Sequence, residues 1–205
     1  MLKKIYFSPF GIFISITLWL LALIHKPFMV YGYYNRKSQQ YLKRVRIGST
    51  VKLINKKSID ISDNVWIGHY ALIDGIGGVT IGKGVHVSSH TVIYSHSSQD
   101  AIRLLGDQYM MEETENRLGY KIKQVTIGEY SFIGTSSILL PGSTIGRGCI
   151  IGAGSVVNGN IPDYAIATGN PIQIIGDTRE RDLNKFGNLI DETKYYDPKV
   201  LKLKR

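Results

Sequence analysis

The sequence predicts an all-β chain built as a parallel β-helix, led by an apolar helical segment and closed by a short C-terminal extension. Three observations carry this. Branched apolar residues recur at six-residue spacing in blocks between Ile47 and Val157. Glycines and small residues hold fixed places between them. The basic excess is confined to the start of the chain, where the longest apolar run also lies.

The first element is that run. The chain has 205 residues, with 25 Lys plus Arg against 16 Asp plus Glu, a formal net charge of +9. Residues 1–59 hold 11 of the basic residues and no acidic one, while residues 60–205 hold 14 against 16. Phe10 to Ile24 is apolar except for Gly11, Ser15 and Thr17. Lys3 and Lys4 precede it; His25, Lys26, Arg36, Lys37, Lys43, Arg44 and Arg46 follow. Trp19, Tyr31, Tyr33 and Tyr34 suit a membrane–water interface. The run is short for a transmembrane helix, and no small-x-small cleavage site follows it. An interfacial helix held by anionic lipid fits both the apolar run and the basic flank. Spanning, and packing on the domain or on a neighbouring copy, are the alternatives. The charge follows the apolar run and no recognition module, so the expected partner is an anionic membrane surface and not nucleic acid. Residues 1–44 are read as this membrane-associated segment.

The second element is the repeat. Anchors stand at Ile127, Ile133, Leu139, Ile145, Ile151 and Val157. Small residues stand four positions after the first five, at Ser131, Ser137, Ser143, Cys149 and Ser155. An earlier block has the same spacing at Ile61, Ile67 and Ile73, then at Ile81, Val87 and Ile93. Ile47, Leu53 and Ile59 form a degenerate first coil. A helix face repeats at 3.6 residues and a strand face at 2, so a fixed six needs short strands with turns, stacked coil on coil. Each anchor then points inward and stacks on its equivalent three hexads away, and glycine eases the tight turns. The domain is read as residues 45–175.

Two interruptions break the repeat. Ile73 and Ile81 are eight apart, which places a Gly-rich bulge at 74–80. A polar, charged stretch at 96–124 forms an extruded loop, and insertions in repeat proteins tend to carry binding function. Leu104, Leu105, Tyr109, Met110, Met111, Leu118 and Tyr120 give this loop apolar surface to pack on something. Residues 176–205 are a charged extension that includes a short helix over the last coil. One cysteine in the chain excludes an internal disulfide framework and a thiolate metal cluster.

Residues 145–175, IGRGCIIGAGSVVNGNIPDYAIATGNPIQII, resemble the closing coil and exit segment of the bacterial hexapeptide-repeat acyltransferases. Ile161-Pro162 and Gly169-Asn170-Pro171 carry that resemblance most clearly. VIYSH, followed after the break by VTIGEYSFIGTSSILLPGSTIG, is similar to the maltose, galactoside and polysaccharide O-acetyltransferase branch. The resemblance covers roughly Ile59 to Ile175. It implies a left-handed β-helix, a homotrimer with active sites between subunits, acetyl-CoA as co-substrate, and a catalytic His at the start of the extended loop. Here that position is His96.

The chemistry implied is light. A base takes the acceptor proton as oxygen attacks the thioester, and imidazole suits that task at neutral pH. A backbone N–H can receive the developing oxyanion. No metal is required. His90 lies one hexad before His96, round the corner from it; His69 shares the face of His90 once the bulge is allowed for. Both are acceptor-contact candidates, with an ordinary surface position as the plain alternative. His86 reads as a solvated coil residue and His25 as interfacial. Asp74 shares a face with His96. It is a candidate acceptor contact, a polariser of a neighbour's His96, or a turn cap. Tyr120 could hold the end of the loop.

The resemblance also places acetyl-CoA contacts. Phe132 stands where related enzymes often carry Trp, which keeps apolar surface and loses an indole donor. Thr135 matches a residue whose backbone meets the thioester region. Gly134, Gly152 and Ala153 would let the pantetheine arm approach. Lys121, Lys123 and Arg147 are candidates for the nucleotide phosphates. Ser97 and Ser98 follow His96, where relatives often have a further His or His-Pro. No clean equivalent of the acceptor-binding Asn lies between Ile67 and Asp74, which leaves the acceptor open.

The expectation is a trimeric, acetyl-CoA-dependent O-acetyltransferase at the cytoplasmic face of a bacterial cell membrane. Its acceptor would be a surface polysaccharide or a lipid-linked sugar precursor. An N-acetyltransferase of a nucleotide-linked amino sugar, serine acetyltransferase, and a non-enzymatic β-helical scaffold are the alternatives.

Overall fold

The computed structural model describes residues 8–24 and 26–202. Lys3, Lys4 and His25 lie outside the described residues. Helix α1 spans Pro9–Ile24. Its side chains from Ile12 to Leu21 are exposed on every side. A helix apolar all round has no polar stripe to tell one face from another, so nothing selects a face for packing. Among the described residues, no helix is long and apolar enough to cross a membrane.

A hairpin follows. Strands β1 (Met29–Asn35) and β2 (Gln40–Gly48) pair antiparallel. Gly32 sits at positive φ, where a Cβ would strike the Tyr41 phenol. The end of β2 joins the solenoid, pairing Arg46 with Trp66 and Ile47 with Ile67. The expected boundary between residues 44 and 45 therefore falls inside a strand. The basic charges hid an ordinary hairpin that caps the first coil.

Beyond it the chain winds as three parallel sheets, the β-helix that the hexads predict. Face A runs through Trp66–Ile67, His86–Val87, Phe132–Ile133, Ile150–Ile151 and Ala165–Thr168. Face B runs through Lys52–Ile54, Leu72–Asp74, Val92–Tyr94, Ile138–Leu139 and Val156–Val157. Face C runs through Ile59–Ile61, Val79–Ile81, Val125–Ile127, Thr144–Ile145 and Asn160–Ile161. The anchors stack inward in register: Ile73 on Ile93, Ile93 on Leu139, Leu139 on Val157. All are fully buried. The small residues do more than fill the corners. Ser131 Oγ donates to Gly146 O (2.8 Å), Ser137 Oγ to Gly152 O (3.0 Å) and Ser143 Oγ to Val157 O (2.9 Å). Each ties one coil to a carbonyl of the next.

The three outward columns differ. Face A shows Trp66, His86, Phe132, Ile150 and Ile166. Face B shows Leu72, Val92, Ile138 and Val156 beyond Lys52. Face C shows Asp60, Thr80, Thr126, Thr144 and Asn160. Two faces are apolar and one is polar.

The corners differ too. In its later coils the A–B corner is lined by small residues, and a Cβ on Gly134 would lie 2.5 Å from the Ala153 nitrogen of the next coil. The B–C corner carries both interruptions. The C–A corner is covered by the C-terminal tail, which includes helix α3 (Thr178–Phe186). Thr178 Oγ1 donates to Gly148 O (2.8 Å), Tyr164 Oη to Asp197 Oδ2 (2.8 Å), and Arg147 pairs with Asp197 at 3.3 Å. The expected start of the extension at residue 176 also falls inside a strand. Gln173–Asp177 turns back antiparallel on Ala165–Thr168.

The extruded loop is structured. Its neck is a two-stranded ribbon pairing His96 with Ile122 and Ser97 with Lys121, and helix α2 (Ala101–Leu105) tops it. Leu104, Met110, Met111 and Leu118 remain exposed, so this chain does not itself cover the apolar surface expected to pack.

Replacing Leu139 by Ala leaves a cavity between three coils. Chemical denaturation should show a loss of about 2–5 kcal/mol. The tail has its own alkaline limit. Burial, then the bond to Asp197, push the Tyr164 pKa up to about 12. A proton held more tightly folded than unfolded stabilises fully below the unfolded value of about 10, and that contribution is lost as pH rises through the folded value. Tail protection from proteolysis should therefore fall between about pH 10 and about pH 12, and Tyr164→Phe should shift that loss.

Candidate active site

The two interruptions meet. The bulge follows the face B strand Leu72–Asp74, and the loop follows the next strand on that face, Val92–Tyr94. Register pairs Asp74 with Tyr94. Nδ1 of His96 contacts Oδ2 of Asp74, and neither atom has another partner among the described residues. Asp74 is fully buried, while the His96 side chain is about a quarter exposed. The other carboxylate oxygen accepts the Ile76 N–H (3.1 Å), so Asp74 also caps the bulge. Of the three readings of Asp74, the turn cap is present, and the imidazole it meets is that of its own chain and not a neighbour's. The two-residue insertion after Ile73 is the reason: it turns the carboxylate beneath the loop neck.

Aromatic rings hold the imidazole from two sides. Tyr94 meets it edge-on at 5.9 Å between centroids, and Tyr120 lies at 5.8 Å. Arg117 sits 4.3 Å from the Tyr109 ring and 5.9 Å from the Tyr120 ring, tying Tyr120 into the loop. Burial, then the nearby Tyr109 phenol, raise the Tyr120 pKa. A cavity of about 330 Å³ opens beside His96, lined by Tyr94, Ser97, Ser98, Gln99, Lys121, Leu140, Pro141 and Asn158. With Nδ1 against Asp74, the ring nitrogen outside that contact is Nε2. Lys121 is paired with Asp100 at 3.3 Å across the neck of the loop.

The other sequence candidates lie elsewhere. His69 and His90 stack on the A–B corner, where the His90 N–H donates to His69 O (3.0 Å). His69 Nδ1 is 3.2 Å from Thr50 Oγ1, and the His90 ring stacks on Tyr70 at 5.0 Å. Gly134, Thr135, Gly152 and Ala153 continue the same corner, with Thr135 Oγ1 donating to Ser89 O (2.7 Å). Phe132 stands beside them on face A, 44% exposed. One chain therefore separates these candidates from His96 by the width of face B. Lys123 lies near the bulge, its side chain against Gly142. Arg147 is on the C–A corner, held by Asp197. It clasps the tail, and its place there follows from an acid 50 residues away that no local spacing reveals. His86 is half-buried on face A, 5.8 Å from Trp66; burial, then Arg46, lower its pKa.

Tyr94, Leu140 and Asn158 were not among the sequence candidates. They each follow an anchor of face B: Ile93, Leu139 and Val157. Reading every third hexad at the position after the anchor would have found them with Asp74. Among the described residues no cluster of three His, Cys, Asp or Glu side chains could hold a metal ion.

The bacterial transferase hexapeptide family (six repeats) matches residues 124–159. WbbJ of Escherichia coli K12, named for lipopolysaccharide O-acetyl transfer, is 30% identical over 129 residues, 63% of this chain and 65% of that protein. A hexapeptide-repeat acetyltransferase from Vibrio cholerae O1 biovar eltor, solved with acetyl coenzyme A, is 25% identical with a TM-score of 0.53. That match covers 62% of this chain and 64% of the other. A galactoside acetyltransferase solved with coenzyme A is 26% identical with a TM-score of 0.56, covering 64% and 61%. This chain thus spans just under two thirds of the length of these proteins. Residues 124–159 match the hexapeptide repeat, and the chain resembles hexapeptide-repeat acetyltransferases, a galactoside acetyltransferase among them, in sequence and in fold.

Substituting Asp74 tests the geometry without reference to any reaction. Asp74→Ala leaves His96 Nδ1 buried and unpaired, which should cost about 1–3 kcal/mol in denaturation. Double substitution with His96→Ala should recover part of that loss.

Proposed function

We propose that this chain is an acetyl-CoA-dependent O-acetyltransferase acting on a sugar hydroxyl of a bacterial surface glycan or its lipid-linked precursor. The contact between His96 and Asp74 at the rim of the cavity carries the reading. Nε2 of His96 takes the proton of the acceptor hydroxyl as its oxygen attacks the thioester carbonyl. The Asp74 carboxylate fixes the tautomer and stabilises the imidazolium that forms. The departing thiolate of coenzyme A then takes that proton, which returns His96 to its starting state. Tyr94, Asn158 and Gln99 offer the ring and amide groups by which a sugar is held.

The A–B corner suits the pantetheine arm. It offers no side chain larger than Thr across Gly134, Thr135, Gly152 and Ala153, and the half-exposed Phe132 borders it. A cyclic ring of copies joins this groove to His96. If face B points at the ring axis, its Leu72, Val92, Ile138 and Val156 column is buried, and each A–B corner meets the B–C corner of the next copy. A homotrimer of this kind supports active sites between subunits and offers a neighbour to cover Met110, Met111 and Leu118.

The N-terminal segment supports attachment to an anionic membrane at the cytoplasmic side. Helix α1 is exposed and apolar, and the hairpin beside it exposes Phe28, Tyr31, Tyr34 and Tyr41 among basic residues. That combination is the one that interfacial anchors use.

His96→Ala should keep the fold and lower acetyl transfer by about 10²-fold or more. Asp74→Asn should fall between that variant and the wild type, with the loss in kcat and not in KM. Both are read from coenzyme A release with glycan acceptors, and full activity of His96→Ala overturns the reading. Co-sedimentation with vesicles containing anionic lipid should fall sharply on deleting residues 1–28 and weaken as salt rises.

A further inference from the structure

A second cavity lies on the B–C corner, on the N-terminal side of the loop neck. It has a volume of about 400 Å³, and its rim carries Lys37, Lys57, Ser58 and Gln124. Resting on the acetyltransferase reading above, we propose that this cavity binds the phosphate of a glycosyl phosphate carried on a lipid, with its sugar extending past the neck to His96.

The two lysines converge from separate elements. Lys37 comes from the turn between β1 and β2, Lys57 from a single 3-10 turn in the first coil. Lys57 has no acidic partner among the described residues. Lys37 pairs with Asp60 Oδ2 at 3.7 Å, and Asn35 donates to the other Asp60 oxygen (2.8 Å), which fixes the carboxylate and with it the place of the Lys37 ammonium. Two ammonium groups on one cavity wall suit a phosphate as point charges. The remaining volume is more than one phosphate fills, and Ser58 and Gln124 add neutral hydrogen-bonding groups.

The neck alone separates this cavity from the first. Ile122 lines it and is the register partner of His96, while the adjacent Lys121 lines the His96 cavity. The floor is the bulge, where the Gly77 N–H donates to Ser95 Oγ (2.8 Å) next to His96. A Cβ on Gly77 would lie 2.9 Å from the Lys123 nitrogen, so glycine keeps the partition thin.

Position along the solenoid favours a lipid carrier. β1 is the outermost strand, and its exposed aromatic residues follow α1 in the chain. Stacking order on face A runs from β1 through β2 and Trp66–Ile67 to His86–Val87, the coil that leads to His96. At about 4.8 Å per step, His96 belongs to a coil about 14 Å from that edge. The lysine cavity occupies the first two coils between. A phosphate at a membrane surface under β1 and a sugar reaching His96 fit that order.

The test uses the full chain, the charge-reversed pair Lys37→Glu with Lys57→Glu, and Lys57→Arg. One sugar is offered as its methyl glycoside, as a nucleotide diphosphate and as an isoprenyl diphosphate in vesicles. Charge reversal should raise KM for the isoprenyl acceptor about tenfold or more while leaving kcat and the methyl glycoside unchanged; Lys57→Arg should retain the wild-type KM. Equal losses on all three acceptors overturn the proposal. Nucleotide and isoprenyl acceptors used equally well, with equal sensitivity, overturn the lipid assignment. A calorimetric titration with inorganic pyrophosphate separates the site from the activity. Binding lost on charge reversal and kept in His96→Ala supports the site even if no acetyl transfer is found, and binding unchanged by charge reversal overturns it.

Discussion

Each coil of this protein is held by its neighbours. A strand of two or three residues has too few hydrogen bonds to persist alone, and the inward residues of a single coil stay open to water above and below. Stacking Ile73, Ile93, Leu139 and Val157 in one column solves both problems at once. The register is therefore strict on every face, and each departure from it must be absorbed at a corner. That constraint places the function: corners are where length can vary without disturbing the columns.

Both departures occur at the same corner. The bulge after Ile73 and the loop after Tyr94 leave the same face in successive coils, so their first residues become neighbours. Asp74 would be an outward residue in a regular hexad. The bulge buries it, and burial of a lone carboxylate is costly. His96 and the Ile76 N–H supply its partners. The contact thus gives the buried carboxylate of the bulge a partner as well as orienting the imidazole.

The β-helix was legible because its period is long and repeated: six anchors in a row at that spacing fit neither a helix face nor a plain strand. His96 was legible from its place at a break. The stacking of Ile73 on Ile93, read with the bulge allowed for, brought Asp74 to the same face. What remained hidden was contact at long range. Arg147 looked free until Asp197 was placed against it, and the hairpin of β1 and β2 was masked by charges that suggested a membrane segment as far as residue 44. Tyr94 and Asn158 were hidden for another reason. Their column is defined only by outward positions one coil apart, a pattern that anchor counting discards.

A solenoid converts order along the chain into distance along an axis. Residues separated by one coil in sequence are separated by about 4.8 Å in space, whatever their identity. The sequence order of apolar helix, aromatic hairpin, Lys57, Asp74 and His96 is therefore also a spatial order, from an edge that suits lipid to a site that suits a sugar hydroxyl. A globular fold would scramble that order through its crossovers. The concentration of all the basic excess in the first 59 residues then has a geometric meaning: it charges one end of the prism. An acceptor anchored by lipid and phosphate would be read from that end inward, and its reach would be set by the number of coils between the edge and His96.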